Sequence, residues 1–160
     1  MTKSSLIDRF HTRHPKLRIE FVTSDRYLDL SKGEADVAIS AGNTGACVAA
    51  AQLRMRLLTG VARPGIGVII PTFHGPVAVC DVGANIAPQP KHLYQYAIMA
   101  GAYAHAVAGI ERPRVGILSI GEEETKGTST VKEARKLMRD DPQINFIGNV
   151  EGRDLFNGVV

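Results

Sequence analysis

The chain has 160 residues, of which 44% are hydrophobic and 22% are charged, and its formal net charge is +3. This composition is typical of a soluble globular protein and excludes wholesale disorder, and a chain of this length can bury roughly two thirds of its unfolded surface in one domain. Tryptophan is absent and the basic excess is small, so the concentrated basic face with aromatic partners that nucleic-acid binding requires is not expected.

Strand-like and helix-like segments alternate along the chain. Runs of β-branched residues predict strands, and apolar residues at helical spacing predict helices. In order, the predicted elements are a helical segment at 8–14, strands at 17–22 and 35–40, a helix at 46–58, strands at 65–70 and 77–81, a helix at 92–107 that is largely buried, a strand at 115–120, a helix from Ser129 to the Asp141-Pro142 pair, a strand at 144–147 and a polar loop at 148–154. The strands at 65–70 and 77–81 are expected to form an antiparallel hairpin.

This order predicts a single α/β domain over residues 1–160, with three layers built around a sheet of mostly parallel strands. In such sheets the ligand binds beyond the carboxyl ends of the strands. Three polar turns follow predicted strands, at 40–46, 80–85 and 120–127. We therefore expect the three turns to line one shared cleft.

The first turn, at 40–46, combines glycines with small polar side chains. Gly42 and Gly45 allow a sharp bend and a close approach to a ligand, while Asn43 and Thr44 can donate hydrogen bonds. Backbone N–H groups at the start of the following helix attract anions. The turn is a candidate phosphate site, and a simple helix cap is the structural alternative.

The other two turns carry charged groups. Asp81 and Asn85 flank Gly83, and they either contact a substrate or close an Asx-type turn. In the third turn Glu123 lies in a run of three acids that precedes Lys126. These charges either form an ion-paired network or stay solvated, and a lysine at this place can neutralise a phosphate or a developing oxyanion.

Several kinds of site are not indicated. The first turn is neither a Walker loop nor a Gly-x-Gly-x-x-Gly fingerprint, which disfavours nucleotide binding. No Gly-x-Ser-x-Gly elbow occurs, so a serine hydrolase is not supported. The five histidines show no metal-ligand spacing, so we expect structural or surface roles for them and neither a metal nor a cofactor; they are His11, His14, His74, His92 and His105.

The sequence also indicates the compartment. The most apolar stretch, at 96–110, is interrupted by glycines and a histidine and is shorter than the roughly 20 residues that a membrane-spanning helix needs. No apolar signal-peptide segment follows the first residues, so a cytoplasmic location is expected. Cys47 and Cys80 are then expected to be buried, reduced thiols rather than a disulfide.

Six strings, taken in order, resemble one family closely. That family is the bacterial phosphate acyltransferase of fatty acid and phospholipid synthesis, and the match covers nearly everything from Gly33 onward. The strings are SAGNTGA at 40–46, RPGI at 63–66, DVGAN at 81–85, LYQYAIMA at 93–100, IERPRVGILSIGEEETKG at 110–127 and FIGNVEGRDLFNG at 146–158.

The resemblance implies transfer of a fatty acyl group from acyl carrier protein to inorganic phosphate, which gives acyl phosphate for phospholipid synthesis. It also implies a fold like that of phosphotransacetylases and isocitrate dehydrogenases, a homodimer, and peripheral contact with the cytoplasmic membrane. Phosphate attack on a thioester needs an anion site and a donor to the oxyanion, but no enzyme nucleophile. On this mechanism Asn85 and Lys126 would be catalytic, and the substrate or phosphate would be bound by Gly42, Asn43, Thr44, Gly45, Asp81 and Glu123.

The chain also departs from the family. Members begin with an Asp-x-Met-Gly-Gly-Asp type segment and continue beyond the equivalent of Gly158 with a strand and a DGF-x-GN type turn, and they have a longer stretch where this chain has residues 23–31. Three functions therefore stay open: the acyltransferase in shortened form, with low or no activity; a non-catalytic member that keeps the fold; and a short-chain phosphotransacylase that uses coenzyme A. The strings IGEEETKG and GNVEGRDLFNG favour the carrier-protein branch.

Overall fold

The structure is a computed structural model that describes Thr12 and residues 43–160. Thr12 is helical and exposed, while the rest of the helical segment predicted at 8–14, the strands predicted at 17–22 and 35–40, and Gly42 lie outside the described residues. The helices are α1 (Thr44–Met55), α2 (Pro90–Ala108) and α3 (Ser129–Asp140); the strands are β1 (Gly67–Thr72), β2 (Gly75–Cys80), β3 (Arg114–Leu118) and β4 (Asn145–Val150); and a short 3-10 helix covers Gly152–Leu155.

The four strands form two separate two-stranded sheets. β1 and β2 pair antiparallel, whereas β3 and β4 pair parallel. The α/β class and the antiparallel hairpin are confirmed, but within residues 43–160 the strands do not form one sheet of mostly parallel strands. A two-residue turn can join only antiparallel strands, while α3 supplies the long crossover that the parallel pair needs. That residues 1–160 form a single domain stays a prediction.

The β1–β2 hairpin is longer than the sequence predicts. Pro71 and Pro76, expected in the connection, face each other within the ladder. Every strand of a two-stranded sheet has a free edge, where a residue without an N–H is tolerated. The hydroxyl of Thr72 bonds to the Gly75 carbonyl and accepts the N–H of His74, which closes the turn.

Helix α1 begins two residues before its predicted start and ends three residues before its predicted end. Arg56 ends it by adopting a positive φ of 62°, and its N–H donates to the Gln52 carbonyl at 3.0 Å. No residue of α1 is buried. The prediction that Cys47 is buried is therefore wrong: its thiol is exposed, because the alanine-rich helix has no face that packs into the core, whereas Cys80 is half-buried in β2.

The core lies between α2, α3 and the β3–β4 pair. Its buried members are Ala97, Ile117, Ala134 and Met138, and Ala134 is fully buried. Helix α3 follows its prediction closely: Thr128 caps it by accepting the Val131 N–H. Helix α2 is buried along one side only, since Ile98, Tyr103 and Val107 are exposed, so the expectation of a largely buried helix is only partly met.

Strand β4 extends beyond its prediction. The first residues of the predicted polar loop, Gly148 to Val150, belong to the strand. Gly148 takes a φ of 105° where the register shifts between the strands, so Ile147 is the extra residue of a bulge. Val150 is buried against Gly116, and its carbonyl accepts the Ser119 N–H at 2.9 Å.

The 3-10 helix is held by one buried carboxylate. Asp154 accepts the Glu151 N–H at 2.7 Å and the side-chain amide of Asn157 at 3.0 Å. These two hydrogen bonds lower the pKa of Asp154 below its ordinary value. Elsewhere, no helix in the described part of the chain is both long and apolar enough to cross a membrane.

The contact between β3 and Val150 predicts the effect of a small substitution. In Gly116→Ala the new Cβ would lie 2.5 Å from Val150 Cγ1, and buried Val150 has little room to move. We expect the free energy of unfolding to fall by about 1–3 kcal/mol, measured by chemical denaturation. As a control, Gly101→Ala adds a Cβ with nothing within 4 Å in α2 and should raise stability by about 0.5–1 kcal/mol. Wild-type stability of Gly116→Ala would contradict this packing.

The pKa of Asp154 predicts how stability changes in acid. A carboxyl group whose pKa is lower in the folded state contributes stability above its unfolded pKa, and this contribution is lost as the pH falls through the folded value. The unfolding free energy of the wild type should therefore decline below about pH 4, and less steeply in Asp154→Asn. Asp141, whose pKa is lowered first by its hydrogen bond from Tyr94, leaves a residual slope.

Asp140→Asn is the matched control for this measurement. Asp140 is exposed and makes no hydrogen bond or ion pair through its side chain within residues 43–160. Denaturation curves between pH 2.5 and 7 should give Asp140→Asn the wild-type slope. The same slope in Asp154→Asn would show that the Asp154 contacts contribute nothing to acid sensitivity.

Candidate active site

Asp81 is the centre of a polar cluster at the end of β2. Its Oδ1 accepts the N–H groups of Ile66 at 3.0 Å and Ala84 at 3.1 Å. Its Oδ2 accepts the N–H of Asn85 at 2.9 Å and the side-chain Nδ2 of Asn85 at 2.8 Å. Four donors thus satisfy both oxygens, and the contacts to Ala84 and Asn85 are those of the Asx-type turn that the sequence left open.

Asn85 continues this cluster toward α2. Its Nδ2 lies 2.9 Å from the Pro64 carbonyl, 2.8 Å from Asp81 Oδ2 and 2.8 Å from the Tyr96 hydroxyl. The first two groups only accept, which fixes the orientation of the amide. Two N–H bonds therefore face three protein acceptors, and in this arrangement neither points to a substrate carbonyl.

Tyr96 is the residue of this cluster that sequence reasoning missed. It is 2% exposed, and its hydroxyl also lies 3.3 Å from the Pro64 carbonyl. Its ring and the Cys80 thiol fill the space beside Gly65, where an added Cβ would meet Cys80 Sγ at 2.9 Å. The available signal was a hydroxyl-bearing aromatic residue within an apolar helix, which needs a hydrogen-bond partner when buried.

The thiol in this cluster is not a nucleophile at neutral pH. Burial, followed by the negative charge of Asp81, raises the pKa of Cys80 to about 11. Burial also raises the pKa of Tyr96, with smaller contributions from Asp81 and Cys80. Both groups are therefore protonated at pH 7, and Cys80 offers no thiolate for covalent catalysis.

The third turn is fastened to β4 by Asn149, which sequence reasoning also missed. Its Nδ2 lies 3.3 Å from the Gly121 carbonyl and 3.0 Å from the Glu123 carbonyl. The Lys126 N–H donates to that same Glu123 carbonyl at 3.0 Å. An added Cβ on buried Gly121 would lie 2.8 Å from Glu123 Oε2 and 3.1 Å from Lys126 Cγ. The side chains of Glu123 and Lys126 therefore both pass over Gly121.

The predicted ion-paired network of this turn forms through arginines rather than through Lys126. Glu122 pairs with Arg153 at 2.9 Å, and Glu124 pairs with Arg139 of α3. The Glu124 carbonyl also accepts Arg135 Nη1 at 2.6 Å. Lys126 is exposed and forms no ion pair within residues 43–160, so its positive charge is not neutralised by the described part of the chain.

Two buried polar atoms lie close to this turn. Ser119 Oγ and Asn149 Oδ1 have no hydrogen-bond partner among the described residues. Ser119 Oγ would be 3.2 Å from a Cβ added to Gly127, which places it against the end of the turn. Buried polar atoms are nearly always hydrogen-bonded, so these two mark a polar interior in which a ligand atom or water would find partners.

The first turn acts as a helix cap in the structure. Asn43 Oδ1 accepts the Ala46 N–H at 3.2 Å, and the Asn43 carbonyl accepts the Cys47 N–H. Ala46, expected to present a free N–H to an anion, therefore uses it within the protein. The N–H groups of Thr44 and Gly45 lie in the first turn of α1, where the helix itself supplies no acceptor. Gly42 lies outside the described residues.

The three turns are held by separate contacts. No hydrogen bond or ion pair of the described residues joins the turns at 43–45, 81–85 and 121–127 to one another. Within its own turn each pair of predicted residues is brought together: Asp81 with Asn85, and Glu123 with Lys126. The shared cleft stays a prediction. Across the same part of the chain, no group of three His, Cys, Asp or Glu side chains is placed to hold a metal ion.

Comparison with known proteins gives one consistent result. The model of the family described as "Fatty acid synthesis protein" matches residues 21–160. The chain is 52% identical over 128 residues to the phosphate acyltransferase of Oleidesulfovibrio alaskensis, a match covering 80% of this chain and 37% of that protein. It is 49% identical over 128 residues to the phosphate acyltransferase of Nitratidesulfovibrio vulgaris, with the same coverage of each chain.

A cyanobacterial relative is matched over a longer segment. The chain is 45% identical over 149 residues to the phosphate acyltransferase of Thermosynechococcus vestitus, which is 91% of this chain and 42% of that protein. The chain thus spans between 37% and 42% of the length of these relatives.

Proposed function

The chain belongs to the fatty acid synthesis protein family, and we propose that it carries out phosphate acyltransfer. In this reaction a fatty acyl group passes from acyl carrier protein to inorganic phosphate, giving acyl phosphate for phospholipid synthesis. The observation that carries the proposal is the 52% identity to a phosphate acyltransferase over 128 residues. The proposal includes a homodimer with a phosphotransacetylase-like fold, cytoplasmic and peripheral at the membrane.

The chemistry needs little from the protein beyond binding and charge. A phosphate oxygen attacks the thioester carbonyl carbon, the carbonyl oxygen becomes an oxyanion, and the carbon–sulfur bond then breaks to release the carrier's thiol after protonation. Such a reaction is accelerated by alignment of the two substrates and by positive charge at the oxyanion. The protonated Cys80 agrees with a direct attack that uses no enzyme thiolate.

Lys126 is the residue that best fits the catalytic role. Its ammonium is exposed and is not neutralised by any carboxylate of the described chain, while Asn149 and the Glu123 carbonyl hold its backbone in place. A cation on a held turn can stabilise the oxyanion or bound phosphate without first breaking an ion pair. Glu123, whose side chain shares the surface over Gly121, would set the position of the lysine.

The other predicted residues enter the proposal in different ways. The N–H groups of Thr44 and Gly45, with Gly42 and Asn43 in the same turn, would bind phosphate at the start of α1. Asp81 and Asn85 would order the segment between β2 and α2 rather than donate to the thioester, because their polar groups are engaged by the protein. Asn85 is thus proposed as a positioning residue.

The test is direct formation of acyl phosphate. The chain is incubated with acyl carrier protein thioester and phosphate, and the product is trapped with hydroxylamine as the hydroxamate. Lys126→Ala should lower turnover by about 10²–10³-fold, the loss typical of one oxyanion-stabilising group. Lys91→Ala, which removes an exposed lysine at the start of α2, should leave turnover unchanged.

Each other result has a definite meaning. Normal turnover of Lys126→Ala would remove that residue from the mechanism. No product from the wild type at high concentration would contradict the proposed activity of this chain and leave the non-catalytic alternative. Faster turnover with a short-chain coenzyme A thioester than with the carrier thioester would favour the coenzyme A reaction.

A further inference from the structure

Helix α3 presents a basic face that the proposed reaction does not use. At 100° per residue, Lys132, Arg135, Lys136 and Arg139 fall within an arc of about 100°. The buried residues Ala134 and Met138 lie on the opposite side of the helix. The core contacts therefore fix which side of α3 faces outward, and that side carries four cations.

An open groove of about 640 Å³ adjoins this basic face. Arg135 and Arg139 line it from α3, while Ile144, Phe146 and Ile147 line it from the segment of β4. Ile144 and Phe146 also pack against the core, so the apolar part of the groove is held firmly in place. The surface thus combines a basic face with a recessed apolar lining.

The acids of the groove do not cancel its charge. Glu124 pairs with Arg139, and Glu122, which also lines the groove, pairs with Arg153. The third acid, Asp154, is buried and accepts hydrogen bonds from the protein. Lys132 and Lys136 are exposed and form no ion pair within residues 43–160. Their charges are available to a partner.

We infer that the α3 docking surface, defined as the basic face of α3 and the adjoining groove, binds the acyl carrier protein through an acidic segment of that protein. Its carboxylates would face Lys132 and Lys136, and an apolar side chain would enter the groove between α3 and β4. Opposite charges of this kind guide encounter and fix orientation. The identity of the partner rests on the proposed function, whereas its acidic, amphipathic character follows from the surface itself.

The shape of the surface favours a protein over a membrane. Ile144 and Phe146 are half-buried in a concave site, where lipid chains of a bilayer cannot reach them without separating from their neighbours. A bilayer would contact the lysines alone. A protruding side chain of a protein can contact both the cations and the apolar lining.

Binding is tested with the carrier in its thiol form, so that no acyl transfer takes part in the measurement. Fluorescence anisotropy of labelled carrier protein is followed as the chain is added at low and at moderate salt. The pair Lys132→Glu and Lys136→Glu in one variant should weaken binding by about tenfold or more, and wild-type binding should weaken as salt rises. Lys91→Glu, the same charge change on α2, should bind like the wild type.

A second variant guards against misfolding. Lys132→Ala with Lys136→Ala should weaken binding less than the charge reversal does, and both variants should show the thermal unfolding of the wild type because their side chains are exposed. Unchanged binding of the folded reversal variant would overturn the inference. So would a wild type that binds no carrier, including one that instead binds phosphatidylglycerol vesicles through Lys132 and Lys136.

The docking surface and the reaction can fail separately. Carrier binding that depends on Lys132 and Lys136, without acyl phosphate formation, would support the surface and contradict the proposed activity. Acyl phosphate formation that is insensitive to both lysines, with unchanged carrier binding, would support the activity and overturn the surface.

Discussion

The carboxylate of Asp81 is the constraint on which the arrangement of the described elements depends. A two-stranded hairpin is at best marginally stable by itself, so β1 and β2 must be held by something else. Asp81 accepts the N–H of Ile66 just before β1 and two N–H groups just after β2, which closes the open end of the hairpin. Through Asn85 the same carboxylate is linked to the buried hydroxyl of Tyr96 on α2.

Helix α2 carries this constraint to the second sheet. It packs against β2 on one side and against α3 and β3 on the other, with Tyr96 and the core residue Ala97 adjacent in sequence. Helix α3 begins directly after the third turn, and Asn149 of β4 holds the turn from the other side. The position of Lys126 therefore follows from the packing of α2, α3 and β4, although Lys126 itself is exposed.

Charge is distributed in a way that suits anionic substrates. The outer acids of the third turn are occupied by Arg139 and Arg153, while Lys126 keeps its positive charge. Surface ion pairs of this kind add about 0–1 kcal/mol to stability, so their main effect is to reduce repulsion of an approaching phosphate. The raised pKa of Cys80 removes a competing nucleophile and leaves chemistry between the two substrates.

Sequence reasoning predicted what periodicity and turn residues determine and missed what depends on a few side-chain contacts. The span of α3 and the antiparallel pairing of β1 with β2 follow from local patterns. Strand β4 was predicted too short because its last residues are polar or glycine, and only the bulge at Gly148 lets them stay in the ladder. The amide of Asn85 could not be assigned to Tyr96 and Pro64, since both contacts join segments distant in sequence.

Hydrogen exchange in Asp81→Asn tests the role of this carboxylate most directly. An asparagine accepts with one oxygen only, so either the pair of Ile66 and Ala84 or the N–H of Asn85 loses its acceptor. Since leaving such a group unsatisfied costs about 1–3 kcal/mol, exchange at the affected amides should accelerate by about tenfold relative to the Ile117 amide of β3. Unchanged exchange at Ile66, Ala84 and Asn85 would contradict the account.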